Sequence, residues 1–348
     1  MYFSAETDAG FHTWRQRFPD GEAEQITFGA TEEEGVAIWP DGRSFASSVG
    51  TAVSAIWVHR DGMEHQITSE GYGHLPSFSA DGKTLYYLLR VSNVREWAAG
   101  ELWAVDLSTD QRRRILPEVT MAYYHVSDDD ARVVFARTDS GRQGIWVARV
   151  DGRLPPVQLT SQPDTRARFG PAGTVVFEAW ENRSKYLFRA RTDGSHRQKV
   201  AGPILILRNV SPDGRWAVIS PEDNLKQLVA YSLVAEDSVT ICSNCADSDG
   251  GPALGRTPSV LTWSGDGRQV FLRLHWPREP LYESGKTYVL RLPEAGGLPP
   301  SFSSEADVAS IPGIEMLSHG GIFPGPHSSF YAYTRGATHR NIYRISLP

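Results

Sequence analysis

The sequence predicts an all-β fold, a β-propeller built from four-stranded antiparallel blades. The first observation behind this prediction is a motif ending in Asp-Gly that recurs along the chain. Its aspartate position is occupied by Asp41, Asp81, Asp129, Ala172, Asp213, Asp266 and Pro326. Successive positions are 40 to 60 residues apart, the period of a four-stranded propeller blade. The second observation is that no extended helical periodicity interrupts the pattern, which favours many short strands.

The motif itself consists of a hydrophobic residue, a small residue, one further residue, Asp and Gly. It is complete at Asp41-Gly42, Asp81-Gly82, Asp213-Gly214 and Asp266-Gly267. It is degenerate at Asp129-Asp130 and Ala172-Gly173, and it departs most at Pro326-His327. Asp-Gly is typical of turns that require a positive φ, so each copy predicts a tight turn between two strands.

The segments between the turns repeat one order of elements. An apolar strand follows the turn, as in Thr84 to Leu89, and an aromatic-led strand comes next, as in Ile56 to Val58. A second turn such as Asp61-Gly62 leads to a short strand ending in Gln-Ile-Thr, as in Gln66 to Thr68. Each unit is therefore predicted to be an antiparallel meander. A sandwich or an open solenoid is the alternative, but radial packing buries both faces of every sheet.

The chain ends decide the blade count. The chain opens with candidates for a second, third and fourth strand, at Tyr2 to Glu6, Thr13 to Arg17 and Glu24 to Thr27. It closes with a first, second and third strand, at Gly321 to Pro324, Phe330 to Tyr333 and Asn341 to Ser346. An N-terminal strand is predicted to complete the C-terminal blade, because that pairing removes exposed sheet edges. Seven blades are favoured, with eight as the alternative, in one domain over residues 1–348. The excess strands predict that this domain is the tail of a longer protein.

Two of the repeats carry a family resemblance. The segments from Phe78 to Lys83 and from Val210 to Arg215, with Ile56-Trp57 and Gln66-Ile67-Thr68, resemble the WD-like β-propeller repeat of the TolB family. The same repeat occurs in prolyl oligopeptidase propellers and behind bacterial kinase or winged-helix domains. The resemblance covers nearly the whole chain and implies the propeller fold. It implies little about function, because the repeated residues belong to turns and core.

Composition and charge exclude several classes of function. Apolar residues make up 40% of the chain and charged residues 22%, which is typical of a globular protein. The 35 Lys and Arg residues against 41 Asp and Glu residues give a net charge of −6, so a nucleic-acid partner is not expected. Apolar stretches are too short to span a bilayer, and no signal pattern opens the chain. A soluble monomer is predicted, in the periplasm or the cytoplasm.

Motifs of the common enzyme classes are absent from the sequence. It contains no Gly-x-Ser-x-Gly, no Walker A pattern, no His-Glu-x-x-His and no Gly-x-Gly-x-x-Gly. No cofactor is predicted. Cys242 and Cys245 are interpreted as a structural thiol pair or a local disulfide, because no second ligand pair for zinc is present. Asp247 to Gly250 is interpreted as a solvated turn and not as a calcium loop.

Three histidines raise the question of a metal site. His74, His125 and His319 precede or lie in first strands, whose starts surround one mouth of a propeller channel. Such histidines bind a metal in propeller lyases that act on acidic oligosaccharides. Counted back from the turn, however, His125 falls on the opposite face of a period-two strand from the other two. Separate, hydrogen-bonded histidines and no metal are therefore predicted.

A binding surface is predicted at the channel mouth and on the loops beside it, because aromatic and arginine side chains there are typical of recognition surfaces. The alternative is that the tyrosines are core and the arginines a solvated rim. The predicted binding residues are Glu34, His74, Arg95, Trp97, Tyr123, Tyr124, Arg166, Arg208, Trp276, Arg278 and His319. The same first strands also supply Arg168 and Asn209.

The function predicted from these features is non-enzymatic. The domain is expected to act as a binding or sensory module that recognises a protein, a small molecule or an oligosaccharide through this surface. Two alternatives remain at this point: a propeller lyase or hydrolase with its site in the channel mouth, and a structural spacer within a larger regulator.

Overall fold

A computed structural model describes residues 1–7, 10–29, 31–90, 99–137, 143–224, 226–235, 237–244, 261–274 and 285–347. The first three strands form a separate antiparallel sheet, in the order β1 (Tyr2–Thr7), β2 (Gly10–Gln16) and β3 (Ala23–Gln25). These strands match the three predicted at the start of the chain. Among the described residues, no helix has both the length and the apolar character that a membrane crossing requires.

The next strands begin the main body of the molecule. They are β4 (Glu32–Ile38), β5 (Ser44–Arg60), β6 (Met63–Gln66), β7 (Tyr72–Phe78), β8 (Thr84–Arg90), β9 (Gly100–Asp106) and β10 (Arg112–Met121). The order β7-β8-β9-β10 is an antiparallel meander in which each strand pairs with its neighbour in sequence.

The meander then repeats along the chain. The next unit contains β11 (Tyr123–Val126), β12 (Arg132–Arg137), β13 (Gly144–Arg149) and β14 (Val157–Gln158). The one after it contains β15 (Thr165–Phe169), a 3-10 turn at Pro171–Gly173, β16 (Thr174–Glu181), β17 (Ser184–Arg191) and β18 (Gln198–Val210). Because β18 is long, it also pairs with β19 (Trp216–Pro221), which is followed by β20 (Leu228–Ser232) and β21 (Ser238–Cys242).

The C-terminal part of the chain adds the last strands. They are β22 (Leu261–Trp263), β23 (Gln269–Leu272), β24 (Thr287–Arg291), β25 (Glu315–Leu317), β26 (Phe323–His327) and β27 (Phe330–Ser346), with the helix α1 (Glu305–Ala309) between β24 and β25. Strands β22 to β25 form a further four-stranded meander. The predicted repetition of antiparallel meanders is confirmed.

The chain ends pair differently from the prediction. The segments Phe330 to Tyr333 and Asn341 to Ser346 were expected as two strands, but they form the single strand β27. It pairs in antiparallel fashion with the whole of β5, from Phe330 opposite Arg60 to Ser346 opposite Ser44. Neither strand has an Asp-Gly or Asn-Gly turn in its middle, so neither folds back into a hairpin. Each long strand instead pairs along one edge with the other over its whole length.

Residues 1–28 were expected to supply the strand that pairs with the C-terminal unit. Strands β1 to β3 instead form their own sheet, and the pairing between the two ends of the chain is made by β5 and β27. The reason is length: β5 and β27 offer each other seventeen consecutive partners, which the short strands before β4 do not.

The core lies between successive sheets. On β12, Val133 and Phe135 pack toward the sheet of β8 and β9, while Val134 and Ala136 pack toward the sheet of β16. All four side chains are fully buried. A strand that buries both of its faces in this alternating way lies between two neighbouring sheets, which the continuous apolar run of its sequence reflects.

Candidate functional site

Four of the repeats end their first strand in a turn held by a buried serine and the repeat aspartate. After β7, the Ser79 hydroxyl donates to Asp81 Oδ1 at 2.8 Å and accepts the backbone N–H of Thr84 at 2.9 Å. The backbone N–H of Lys83 also donates to Asp81 Oδ1, and this hydrogen bond lowers the pKa of Asp81. The same arrangement holds Ser127 with Asp129, Ser211 with Asp213 and Ser264 with Asp266.

These turns and the strands before them surround one cavity of about 210 Å³. Its wall is formed by the inner strands, which we define as β7, β11, β15, the second half of β18, β22 and β26, together with the turns that follow them. The lining runs over residues 75–80, 123–128, 130, 166–168, 207, 209–210, 212, 262–265 and 323–325. Strand β4 does not contribute to it.

β-bulges interrupt the inner strands. The pairing register shifts between His74 and Ser77 in β7 and between Thr165 and Arg168 in β15. Within these bulges Leu75 has a φ of 49° and Arg166 a φ of 51°, in the left-handed region. A bulge inserts an extra residue and changes the face on which later side chains lie. For this reason the period-two count back from the turn does not give the orientation of side chains such as His74.

The basic side of the cavity carries two arginines. The guanidinium of Arg166 lies over the ring of Tyr123, 4.6 Å from its centroid, and its Nε is 3.6 Å from Oε1 of Glu178. Arg168 also lines the cavity. Burial lowers the pKa of Arg168 to about 10, and repulsion from Arg166 contributes to this shift.

The acidic side of the cavity is at the turn after β11. Asp128 and Asp130 both line the cavity there, and the hydroxyl of Tyr86 donates to Asp130 Oδ1 at 3.2 Å. Removal from water raises the pKa of Asp128, and the neighbouring Asp129 adds repulsion. Burial likewise raises the pKa of Asp130, although the Tyr86 hydrogen bond opposes the shift. The cavity therefore has opposite charges on different parts of its wall.

The three histidines lie in different surroundings. His125 lines the cavity, and its Nδ1 accepts the backbone N–H of Phe169 at 3.2 Å. Burial lowers the pKa of His125 to about 3, so its ring is neutral. His74 is buried beside the carbonyl of Tyr72, and the ring of His319 lies 4.9 Å from that of Tyr333. In the part of the chain that the structure describes, no group of three His, Cys, Asp or Glu side chains is placed to hold a metal ion.

The cavity brings together only part of the predicted binding set. Tyr123, Tyr124 and Arg166 line it. Tyr124 is also core, since it is 7% exposed and donates its hydroxyl to the Leu75 carbonyl at 2.7 Å. His74, Arg208 and His319 do not line the cavity. Arg208 donates from Nε to the Ser220 hydroxyl at 3.0 Å.

Other predicted residues lie elsewhere in the molecule. Glu34 is on β4, away from the cavity, and accepts a hydrogen bond from Arg340 at 3.0 Å. Arg95, Trp97, Trp276 and Arg278 lie outside the described residues. Cys242 is buried and disulfide-bonded, as in the local disulfide that was one of the two interpretations, and Cys245 lies outside the described residues.

Sequence reasoning placed His125 in a first strand near the channel mouth but left it out of the predicted binding set, and it missed Asp128 and Asp130. The site was predicted at the starts of the first strands, whereas the cavity extends along those strands to the turns that follow them. Sequence reasoning also treated the serine of the motif only as a small residue. The Ser-x-Asp spacing, repeated four times, was the signal that the hydroxyl and the carboxylate act together.

Comparison with known proteins identifies the fold. No protein-family model matches the sequence, and no curated protein sequence matches it. The putative TolB from Agrobacterium tumefaciens matches the structure with a TM-score of 0.54 at 15% identity, over 83% of this chain and 99% of that one. TolB from Acinetobacter baumannii matches with a TM-score of 0.50 at 13% identity, over 83% of this chain and 76% of that one.

An oligogalacturonate lyase in complex with manganese also matches, with a TM-score of 0.45 at 14% identity, over 78% of this chain and 81% of that one. The two TolB structures confirm the predicted fold class and the family resemblance of the repeats: the chain is all-β and similar in structure to TolB-like β-propeller proteins. At these identities the likeness concerns the fold alone.

Proposed function

We propose that this chain is a non-enzymatic recognition domain that binds a small ligand in the cavity enclosed by its inner strands. The observation that supports the proposal is the cavity itself. It combines an aromatic ring, two arginines and two carboxylates around a space of about 210 Å³. Pockets with a few converging polar groups and perturbed pKa values are the default candidates for ligand binding.

The proposal also covers how many blades surround the cavity and how the chain closes them into a ring. Six first strands line the cavity within the described residues, and β4, which the repeat count treated as one more, is not among them. One four-stranded unit contains β26, the first half of β27, the second half of β5 and β6. We infer that this unit closes a ring of six blades with two strands from each end of the chain. The cavity is then the central channel of that ring.

A variant that fills the cavity tests the proposal. Gly265 lines the cavity, and a Cβ at this position meets nothing closer than the Ala80 carbonyl at 3.8 Å. Gly265→Phe therefore places a phenyl ring in the cavity without a clash at the Cβ. Gly336→Phe is the matched control, since a Cβ there is 3.8 Å from the Val53 carbonyl, on the long strand β27.

The measurement is ligand-observed NMR with a library of small polar fragments. We expect some fragments to bind the wild type and Gly336→Phe, and the same fragments to lose binding to Gly265→Phe. Circular dichroism and the unfolding midpoint establish that both variants fold. Equal binding to all three proteins, or no fragment binding to the wild type, contradicts the proposed function.

The enzyme alternative has its own discriminating result. A propeller lyase with a metal-dependent site would retain a metal when purified without chelators. Stoichiometric manganese, zinc or calcium in the purified protein, measured by elemental analysis, counts against the non-enzymatic proposal. The absence of a bound metal leaves the fragment experiment as the decisive one.

A further inference from the structure

The charges around Arg168 are not balanced. In the described part of the chain, Arg168 has neither an ion-pair partner nor a hydrogen-bond partner for its guanidinium, although this side chain lines the cavity. Its electrostatic neighbours are Arg166, which repels it, the hydroxyl of Tyr124, and His125, whose ring is neutral. An arginine within a cavity wall ordinarily has a carboxylate opposite, because an uncompensated buried charge is costly.

The nearby carboxylate does not supply this balance. Glu178 is 1% exposed and is already used by three groups on other strands. Its oxygens lie 3.6 Å from Arg166 Nε and 3.4 Å from Lys185 Nζ, and Oε1 accepts the backbone N–H of Leu207 at 2.5 Å. Arg208 is also under the influence of Glu178 and Arg166. Three cations, Arg166, Lys185 and Arg208, therefore share this one carboxylate.

The two carboxylates that line the cavity, those of Asp128 and Asp130, interact with other groups. Asp130 accepts a hydrogen bond from Tyr86, and the charges that act on Asp128 and Asp130 are those of other aspartates. Neither forms an ion pair with Arg166 or Arg168 among the described residues. The positive charge on the arginine side of the cavity is thus open to a ligand.

We propose that the cavity binds a small oxyanion, a carboxylate or a phosphate, through the guanidinium of Arg168 with Arg166 beside it. Guanidinium presents two parallel N–H donors that match the two oxygens of such a group. The volume of about 210 Å³ suits a small organic acid or a phosphate and is below the roughly 300 to 1,000 Å³ of pockets for drug-sized ligands. This inference rests on the proposed function and specifies the class of ligand.

The test measures the thermal unfolding midpoint and calorimetric binding at constant ionic strength, with chloride as the reference anion. The probes are acetate, succinate and citrate in one arm, and inorganic phosphate in the other. The variants are Arg168→Met, which removes the N–H donors of the guanidinium, and Arg168→Lys, which keeps the positive charge without the two parallel N–H donors. Arg153→Met is the matched control, because Arg153 is 82% exposed and pairs only loosely with Asp151 at 3.7 Å.

For the wild type and Arg153→Met we expect a saturable rise of the unfolding midpoint with at least one probe. Arg168→Met should bind that probe at least tenfold more weakly, and Arg168→Lys should be intermediate. Without a probe, Arg168→Met should unfold at the same temperature as the wild type or higher, because it removes an uncompensated charge. A response only to the carboxylates or only to phosphate identifies the source of the oxyanion.

Two results overturn the inference. One is a wild type that responds to no probe beyond chloride, and the other is an equal response in Arg168→Met. If neutral fragments still bind and Gly265→Phe still removes their binding, the proposed function stands and only the assignment of an oxyanion as the ligand is wrong. If neither fragments nor anions bind the wild type, both proposals fail together.

Discussion

Gly82 and Gly214 have φ values of 71° and 70°, in the left-handed region that glycine adopts without a steric penalty. Each also has no room for a side chain. A Cβ at Gly82 would be 2.5 Å from Pro326 Cγ, and a Cβ at Gly214 would be 2.6 Å from the backbone nitrogen of Pro171. Gly42 shares the turn, with a φ of 66°, but a Cβ there meets nothing within 4 Å. The turn glycines thus differ in whether a neighbouring unit packs on them.

This difference predicts a ranking of three variants in chemical denaturation. Gly42→Val should lose about 1 to 3 kcal/mol of unfolding free energy from backbone strain alone. Gly82→Val and Gly214→Val should lose more, because their new side chains also displace the adjacent turn. Wild-type stability in Gly82→Val or Gly214→Val contradicts the turn assignment.

His125 predicts a pH dependence. Its pKa is about 3 in the folded protein and about 6.5 in an unfolded chain. Between these values the unfolded state binds a proton that the folded state does not, so the stability falls as the pH drops from about 6.5 toward 3. His125→Asn keeps an acceptor for the Phe169 N–H but does not titrate.

The variant should therefore lose part of this dependence, by no more than about 1.4 kcal/mol per pH unit. The measurement is the free energy of unfolding of both proteins at pH 7, 6, 5 and 4. Parallel curves for the two proteins would show that His125 is not the buried, neutral group described above.

At the residue scale, the sequence predicted the turns better than the site. Asp-Gly is a local signal, and the positive φ of Gly82 and Gly214 follows from it. The orientation of a side chain such as Arg166 depends on a bulge, which is set by pairing with β16 and leaves no local signature. Tyr123 and Arg166 were nevertheless identified, since their chemistry was visible in the sequence without knowledge of their orientation.

At the scale of elements, the meanders were predictable because their strands pair with sequence neighbours. The pairing of β5 with β27 was not, because it joins segments nearly three hundred residues apart, from Ser44 opposite Ser346 to Arg60 opposite Phe330. Residues 50–54 and 334–340 are rich in Thr, Ser, Val and Ala and suit either a loop or a continuous strand. Only the distant partner decides between the two.

An ion pair connects β27 to β4 in this region. Arg340 donates to Glu32 at 2.6 Å and to Glu34 at 3.0 Å, and the side chains of Arg340 and Glu32 are 16% and 11% exposed. Arg344 makes a comparable contact with Asp41 at 3.1 Å, but its side chain is 55% exposed. Removing Arg340 leaves the mostly buried Glu32 with Arg90 alone, at the longer distance of 3.9 Å, whereas exposed pairs contribute little.

Arg340→Met should therefore lower the free energy of unfolding by about 1 to 3 kcal/mol, a buried-pair effect reduced by partial exposure. Arg344→Met is the matched control on the same strand and should cost less than about 1 kcal/mol. Urea denaturation of the two variants gives both numbers. An Arg340→Met variant no less stable than Arg344→Met would mean that the pair does not hold β27 against β4.

At the scale of the whole molecule, the functional argument depends on where the inner strands meet. Six of them in the described residues line one cavity, with Arg166 and Arg168 on one part of its wall and Asp128 and Asp130 on another. The fold class was predictable from the period of the repeat, because every blade requires the same turn and core residues. The cavity was not, since its lining is contributed one short segment at a time by units spread over the whole chain.

The most direct test of this account is a crystal structure of the protein soaked with the fragments or anions that bind it. The account predicts ligand density inside the cavity, in contact with Tyr123 and with the guanidinium groups of Arg166 or Arg168. Density confined to the outer surface, such as the β1 to β3 sheet or the edge of β27, together with an empty cavity, would contradict it.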